Sequence, residues 1–223
     1  MALTRLTAAS GAVIFPDAGF EAAVRKILGK PAGAILVPDV ARIKTLDVQS
    51  RQIADLTGIE YFTALESLFA GGNQMTALDV SHNAALTRLD VWGNRLTVLN
   101  VRHNPLLEQL CAEGNRLGAL DVSCNLALEY LDVSNNRLTE LYVGGNAALT
   151  ELFAGGNRLT ALDIRRNPAL ARLYVCQNQM GLDPAVSVPA WTKSPALDRD
   201  TYDGGWKAPL FFYFPQDGPE AGR

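Results

Sequence analysis

Apolar residues return along this chain at a fixed step. From Leu65 to Gln177 one 21-residue unit repeats, beginning at Leu65, Leu86, Leu107, Leu128, Leu149 and Leu170. Asn recurs at 73, 94, 115, 136, 157 and 178, and a second Asn series, 83, 104, 125, 146 and 167, follows ten residues behind. Each unit is therefore two nested half-repeats, as in LEYLDVSNNRLTELYVGGNAA from Leu128 to Ala148. A constant period of this length marks a solenoid, in which one coil cannot bury its own apolar side and must stack on its neighbours. Three columns are expected to point inward: Leu68, Leu89, Leu110, Leu131, Leu152 and Leu173; Leu78, Leu99, Leu120, Leu141 and Leu162; and Val80, Val101, Val122, Val143 and Ile164. Each half-repeat reads as a short strand. The Asn residues fall where the chain turns inside a coil, and their amides can satisfy backbone groups that no strand ladder takes up.

The ends depart from the period. Asp17 is placed as a helix N-cap, Phe20, Val24, Ile27 and Leu28 share one helical face, and Gly29 with Pro31 stops the helix. This gives a helical N-terminal cap over 15–42. A looser first repeat occupies 43–64, with a 22-residue step from Leu46 to Leu68 and Arg51 where the later coils have Asn, so its inner turn must be satisfied differently. Nested repeats fill 65–180. Seven of the seventeen aromatic residues lie beyond position 190, which predicts an aromatic C-terminal cap over 181–215, with PLFFYFP as an alternative pairing edge and 216–223 as a tail. All of 1–223 reads as a single domain.

Composition narrows the function classes. A net charge of −3 offers no general attraction to nucleic acid, and no apolar run reaches the roughly 18 residues that a membrane span needs. The opening MALTRLTAASGAVIFPD does not read as a secretory signal. Three Cys residues make an odd count. Cys111 and Cys176 lie three coils apart, roughly 14 Å at about 4.8 Å per coil, beyond the reach of a disulfide, so free thiols are expected.

In a strand, residues flanking a buried Leu point outward. For the first strand of successive coils these include Phe69; Arg88, Asp90 and Trp92; Glu113; Tyr130 and Asp132; Glu151 and Phe153; and Arg172 and Tyr174. That face changes from coil to coil while the core does not, and it mixes aromatic residues with charges of both signs, the composition of a recognition surface. The other half-repeat shows Asp79, Asn100, Asp121, Tyr142 and Asp163. Asp79 and Asp121 are two coils, about 10 Å, apart, too far to share calcium, so solvation and turn geometry account for them. Arg95, Arg116, Arg137 and Arg158 form a basic ridge, solvated or paired with neighbours such as Glu140; the alternative is a grip on an acidic partner. His82, His103 and Cys124 share one repeat position and are zinc-type ligands, but the column continues into Gly145 and Arg166, and Arg102 would repel a cation. No metal and no cofactor are expected, with metal or thiol chemistry at that column as the alternative. GGN at 71–73, 144–146 and 155–157 reads as repeated turn chemistry, not as a phosphate loop. With no Ser and His pairing in reach, the chain does not read as an enzyme.

LTRLDVWGNRL (86–96) and LEYLDVSNNRL (128–138) match the pattern LxxLxLxxNxL, so the chain resembles the leucine-rich repeat superfamily, usually classed α/β. More narrowly it is similar to the bacterial nested class with 21-residue units, the IRREKO-type repeats. Ala70, Val91, Ala112, Val133, Ala154 and Val175 depart from that pattern, which has Leu there; their alternation predicts a thin core at this edge. DLTGIEYFTAL is similar to internalin-like repeats, and FPDAGFEAAVRKILGKPAGAI resembles the helical cap that precedes them. The resemblance covers roughly 15–180. It implies a solenoid of about seven coils, mostly short β-strands and irregular turns with one N-terminal cap helix. It also implies a non-enzymatic bacterial binding module, secreted or on the cell surface. The partner would be a protein, or a glycan stacked on the aromatic residues; the chain itself would be a monomer or weak dimer, with no nucleic acid and no membrane insertion.

Overall fold

The computed structural model describes residues 11–179. Seven three-residue strands, β1 (Thr45–Asp47), β2 (Ser67–Phe69), β3 (Arg88–Asp90), β4 (Gln109–Cys111), β5 (Tyr130–Asp132), β6 (Glu151–Phe153) and β7 (Arg172–Tyr174), form one parallel sheet in sequence order. Each strand's middle Leu is the direct partner of the next, from Leu46 with Leu68 through to Leu152 with Leu173. Residues 21 apart in the chain are thus side by side in space. A parallel ladder of this kind needs a long return path between strands, and the rest of each coil supplies it.

The first leucine column is buried throughout, as are the valine column and the alternating Ala70 to Val175 positions. In the second leucine column Leu78 is only partly buried. The expected second strand does not form. Among the described residues its only trace is an isolated bridge between Asp79 and Asn100. Four of these five segments open on a polar side chain that bonds its own backbone. Asp79 accepts the Ser81 N–H at 2.9 Å, Asn100 that of Arg102 at 3.1 Å, Asp121 that of Ser123 at 2.9 Å and Asp163 that of Arg165 at 3.0 Å. Such a bond from a side chain to the N–H two residues on bends the backbone into a turn. The acidic column is therefore turn chemistry.

Both Asn series are built into the core wall. Asn115 donates through Nδ2 to the carbonyls of Val91 (2.9 Å) and Ala112 (3.1 Å), and its Oδ1 accepts the Leu96 N–H at 3.0 Å. In the second series, Asn125 donates to the carbonyls of Val101 (3.0 Å) and Asn104 (2.8 Å), and Asn146 donates in turn to the carbonyl of Asn125 at 2.9 Å. The first coil, with Arg51 in place of Asn, borrows from its neighbour: the N–H groups of Arg51 and Ile53 both donate to Asn73 Oδ1 at 3.0 Å. Before each Asn of the first series the backbone is left-handed, at Gly72, Gly93, Gly114, Asn135, Gly156 and Gln177 (φ 55 to 66°), where glycine carries no steric cost.

The cap helix α1 (Ala18–Leu28) begins as expected, with Asp17 accepting the Phe20 N–H at 3.0 Å. The same carboxylate accepts the Ala54 N–H at 2.9 Å, which pins the helix to the first coil. Phe20 packs edge-on against Phe15 (centroids 5.1 Å apart) and stacks near Phe62 (6.1 Å). Phe20, Ala23 and Val24 are buried, whereas Ile27 is 44% exposed. Leu28 is partly buried against the core, so Ile27 alone of the four expected residues turns outward, and polar contacts hold this end of the helix. Arg25 bridges from Glu21 (2.7 Å) to the carbonyls of Lys30 (3.2 Å) and Gly33 (3.1 Å) in the following turn. A second helix, α2 (Val37–Val40), and a 3-10 turn, Ile59–Tyr61, complete this end. The expected C-terminal cap, its PLFFYFP edge and the tail lie outside the described residues.

Candidate partner-binding face

The side of the sheet away from the core carries all eleven residues expected there. Their arrangement is closer than the alternation alone foretells. The Arg88 guanidinium lies over the Phe69 ring at 5.9 Å, Tyr130 packs against Phe153 with centroids 5.6 Å apart, and Arg172 pairs with Glu151 at 2.9 Å. Each contact joins adjacent coils, the cross-strand unit from which sheets draw side-chain stabilisation. Trp92 leans over Gly71 of the preceding coil so closely that a Cβ on Gly71 would collide with the indole. Tyr174 covers Gly155 in the same way. These glycines are required by close approach, a constraint that sequence alone did not reveal. Trp92 and Tyr174 are each 39% exposed, and the other aromatic residues of the face are half-buried.

Its centre is acidic and partly dry. Asp90, Cys111 and Asp132 are direct partners across β3, β4 and β5. Burial raises the pKa of Asp90 and of Asp132, against the opposing effect of the Trp92 N–H (3.4 Å) and the Ser134 N–H (2.9 Å) on their Oδ1 atoms. Burial pushes the Cys111 thiol up to about 12, helped by the charges of Asp132, Asp90 and Glu113. The Tyr130 hydroxyl is driven upward by burial and then by Asp132. Glu113 joins this group from the next position and accepts from Asn135 Nδ2 at 3.2 Å. None of Asp90, Glu113 and Asp132 is in an ion pair among the described residues; Arg172 pairs with Glu151, and Arg88, over the Phe69 ring, offsets part of the Asp90 shift through its charge. Carboxylates held in such surroundings favour a cation that can replace lost water.

All three cysteines are free thiols, and they occupy three different repeat positions. Cys124 is exposed and Cys111 is not. At mildly alkaline pH, where the thiolate is the reactive species, a chromogenic disulfide reagent is expected to modify Cys124 fast and the half-buried Cys111 more slowly. Time-resolved labelling of Cys124→Ala and Cys111→Ala variants checks this; equal rates at the two sites would contradict the burial of Cys111.

The other candidates separate. His82, His103 and Cys124 are exposed, His82 Nδ1 lies 3.2 Å from the Ser81 hydroxyl, and among the described residues no three His, Cys, Asp or Glu side chains gather closely enough to hold a metal. Arg95, Arg116, Arg137 and Arg158 are exposed and enter no ion pair among the described residues. Of the two expectations for the ridge, solvation or pairing with neighbours such as Glu140, the first holds, and Glu140 instead accepts from the Tyr142 hydroxyl at 2.8 Å. No helix among the described residues is long and apolar enough to cross a membrane.

The Leucine Rich Repeat family model matches residues 127–146. No curated protein matches the sequence. Among solved structures, the chain is similar to the functional domain of InlJ from Listeria monocytogenes, described as including a cysteine ladder, at 33% identity over 76% of this chain and 43% of that one, with a TM-score of 0.66. It is also similar to a leucine-rich repeat protein of Leptospira interrogans, at 26% identity over 62% of this chain and 38% of that one, with a TM-score of 0.59. Internalin C2 of L. monocytogenes shares the fold, at 22% identity over 78% of this chain and 89% of that one, with a TM-score of 0.57. The chain spans less than half the length of the first two.

Proposed function

Since this chain is a bacterial leucine-rich repeat protein of internalin-like form, we propose that it is a non-enzymatic binding module that presents the outer face of β2 to β7 to a protein partner. Solenoids of this family typically serve protein interaction through such extended surfaces. The observation that carries the reading is the contrast between a repeated core and a face on which desolvated carboxylates, Asp90 and Asp132, lie among Trp92, Tyr130 and Phe153. The partner's matching patch carries Lys or Arg beside apolar groups: the cation meets Asp90, Glu113 and Asp132, and the apolar groups meet the rings. Large aromatic anchors around a partly dry charged centre are where binding energy concentrates. The resemblance to internalins supports a secreted or surface location, with the module acting as a monomer or weak dimer.

The test compares the wild type with Asp90→Asn/Asp132→Asn and with Trp92→Ala/Tyr130→Ala in quantitative capture from bacterial and host lysates. Both face variants are expected to lose the captured protein, while Arg95→Ala/Arg116→Ala on the ridge keeps it; equal capture by all would refute the reading. The carboxylate variant also separates binding from folding. A carboxyl whose folded pKa is raised opposes folding at neutral pH and ceases to do so as pH falls through that value. Replacing Asp132 with Asn should therefore leave the melting temperature at pH 7 equal or higher while abolishing capture. By the same sign, capture should weaken on acidification above the ordinary Asp range, where Asp90 and Asp132 first lose charge.

A further inference from the structure

We infer that the turn side of the fifth and sixth coils holds a second site, around Tyr142, for the ring of a neutral pyranose sugar. In a solenoid this regular, positions that break the period without serving the fold mark something else. The coil Leu128 to Ala148 breaks it four times on one flank. Tyr142 replaces the Asp or Asn that closes the turn in the other coils, Glu140 stands where they have Ala or Val, and Gly144 and Gly145 stand where they carry Ser or Arg and His, Cys or Arg.

The two glycines are not there for the backbone. Neither has a positive φ. A Cβ on Gly144 would lie 3.7 Å from Arg166 Cδ, and one on Gly145 would lie 3.8 Å from the Ser123 carbonyl, both ordinary contacts. Gly72 and Gly156 differ in having a left-handed backbone, which glycine takes at no steric cost, so GGN at 144–146 lies in a turn as expected, but its backbone does not call for glycine. Gly144 opens onto a cleft of about 710 Å³, walled also by Glu140, Tyr142, Thr160, Asp163 and Arg166. That size suits a small ligand.

The lining points to a sugar. Tyr142 is 74% exposed, and its hydroxyl is tethered to Glu140 at 2.8 Å, so the ring is held out as a flat apolar platform beside the cleft. Around it stand two carboxylates and two guanidiniums: Glu140, Asp163, Arg165 bonded to Asp163 through Nε at 2.9 Å, and Arg166. Their formal charges cancel, which disfavours a strongly charged ligand. Carboxylates accept hydrogen bonds and guanidiniums donate them, and a pyranose offers hydroxyls that do both around a C–H face that stacks on an aromatic ring.

The experiment is saturation-transfer difference NMR on the full chain with cellotriose, maltotriose, xylotriose and chitotriose, each at millimolar concentration. At least one is expected to receive saturation, with affinity falling at least about tenfold in Tyr142→Ala and in Gly144→Ser/Gly145→His, which restores side chains that other coils carry. Circular dichroism of both variants should match the wild type, because the affected positions are exposed or tolerate a Cβ. Absence of transfer to all four sugars, or equal transfer in the wild type and both variants, would overturn the site. So would loss of the signal in Asp90→Asn/Asp132→Asn, which would move the sugar to the strand face. A retained signal there, with protein capture lost, keeps the two sites distinct.

Discussion

Leu131→Ala is expected to lower the free energy of unfolding by about 2–5 kcal/mol, the usual range for truncating a fully enclosed leucine. Leu131 has no exposed surface and is the direct partner of Leu110 on one side and Leu152 on the other. Its removal leaves a void between two coils that cannot close without shifting the register of both. In a structure held by contacts between nearest neighbours, such damage weakens two junctions at once. Leu173→Ala, in β7, the last described strand, should cost less, since Leu173 has one described strand partner, Leu152, and is 4% exposed. Urea unfolding of the two variants, with slopes compared to the wild type, checks both magnitude and order. Equal costs would mean that stability is not transmitted coil to coil.

The second large effect belongs to the asparagines. Asn125→Ala removes the donor to the carbonyls of Val101 and Asn104, in a position with no exposed surface. Both carbonyls keep one backbone donor, the Asn104 N–H and the Leu107 N–H, each at 3.1 Å, so the loss is that of two side-chain hydrogen bonds, together about 1–3 kcal/mol, reaching the lower part of the Leu131→Ala range although far fewer apolar atoms are removed. The control is Arg95→Ala, exposed and without an ion pair among the described residues, expected within about 0.5 kcal/mol of the wild type. Hydrogen exchange would localise the Asn125→Ala damage to the coils on either side; a uniform small effect would show that other groups take over those carbonyls.

The register was legible in the sequence because a leucine every 21 residues admits one stacking in which every column is buried. The second strand misread is instructive. Alternation in LDV fits a strand in either half of the coil, and both Asp121 and Asp132 take the N–H two residues on, so the text alone does not say which half pairs. Ile27 is exposed although Leu28 beside it packs on the core: helical periodicity tells which residues share a face, not which edge of that face the neighbouring surface reaches. On the strand face, alternation identified the outward residues, but Trp92 over Gly71 joins positions 21 apart and depends on the direction in which the indole leans. The cleft at Tyr142 stayed hidden because three GGN triplets look identical as text and differ only in backbone angle.

In the second asparagine series each member lends its side-chain amide to the carbonyl of the member before it, from Asn104 to Asn83 and onward to Asn167 on Asn146. Every joint is the same joint, made in one direction. A whole unit can therefore be spliced in or out with matching ends wherever it falls, lengthening or shortening the molecule by one rung of about 4.8 Å without redesign of either terminus. Such a scaffold evolves its reach by copying, and leaves the outer side chains of each new copy free to diverge.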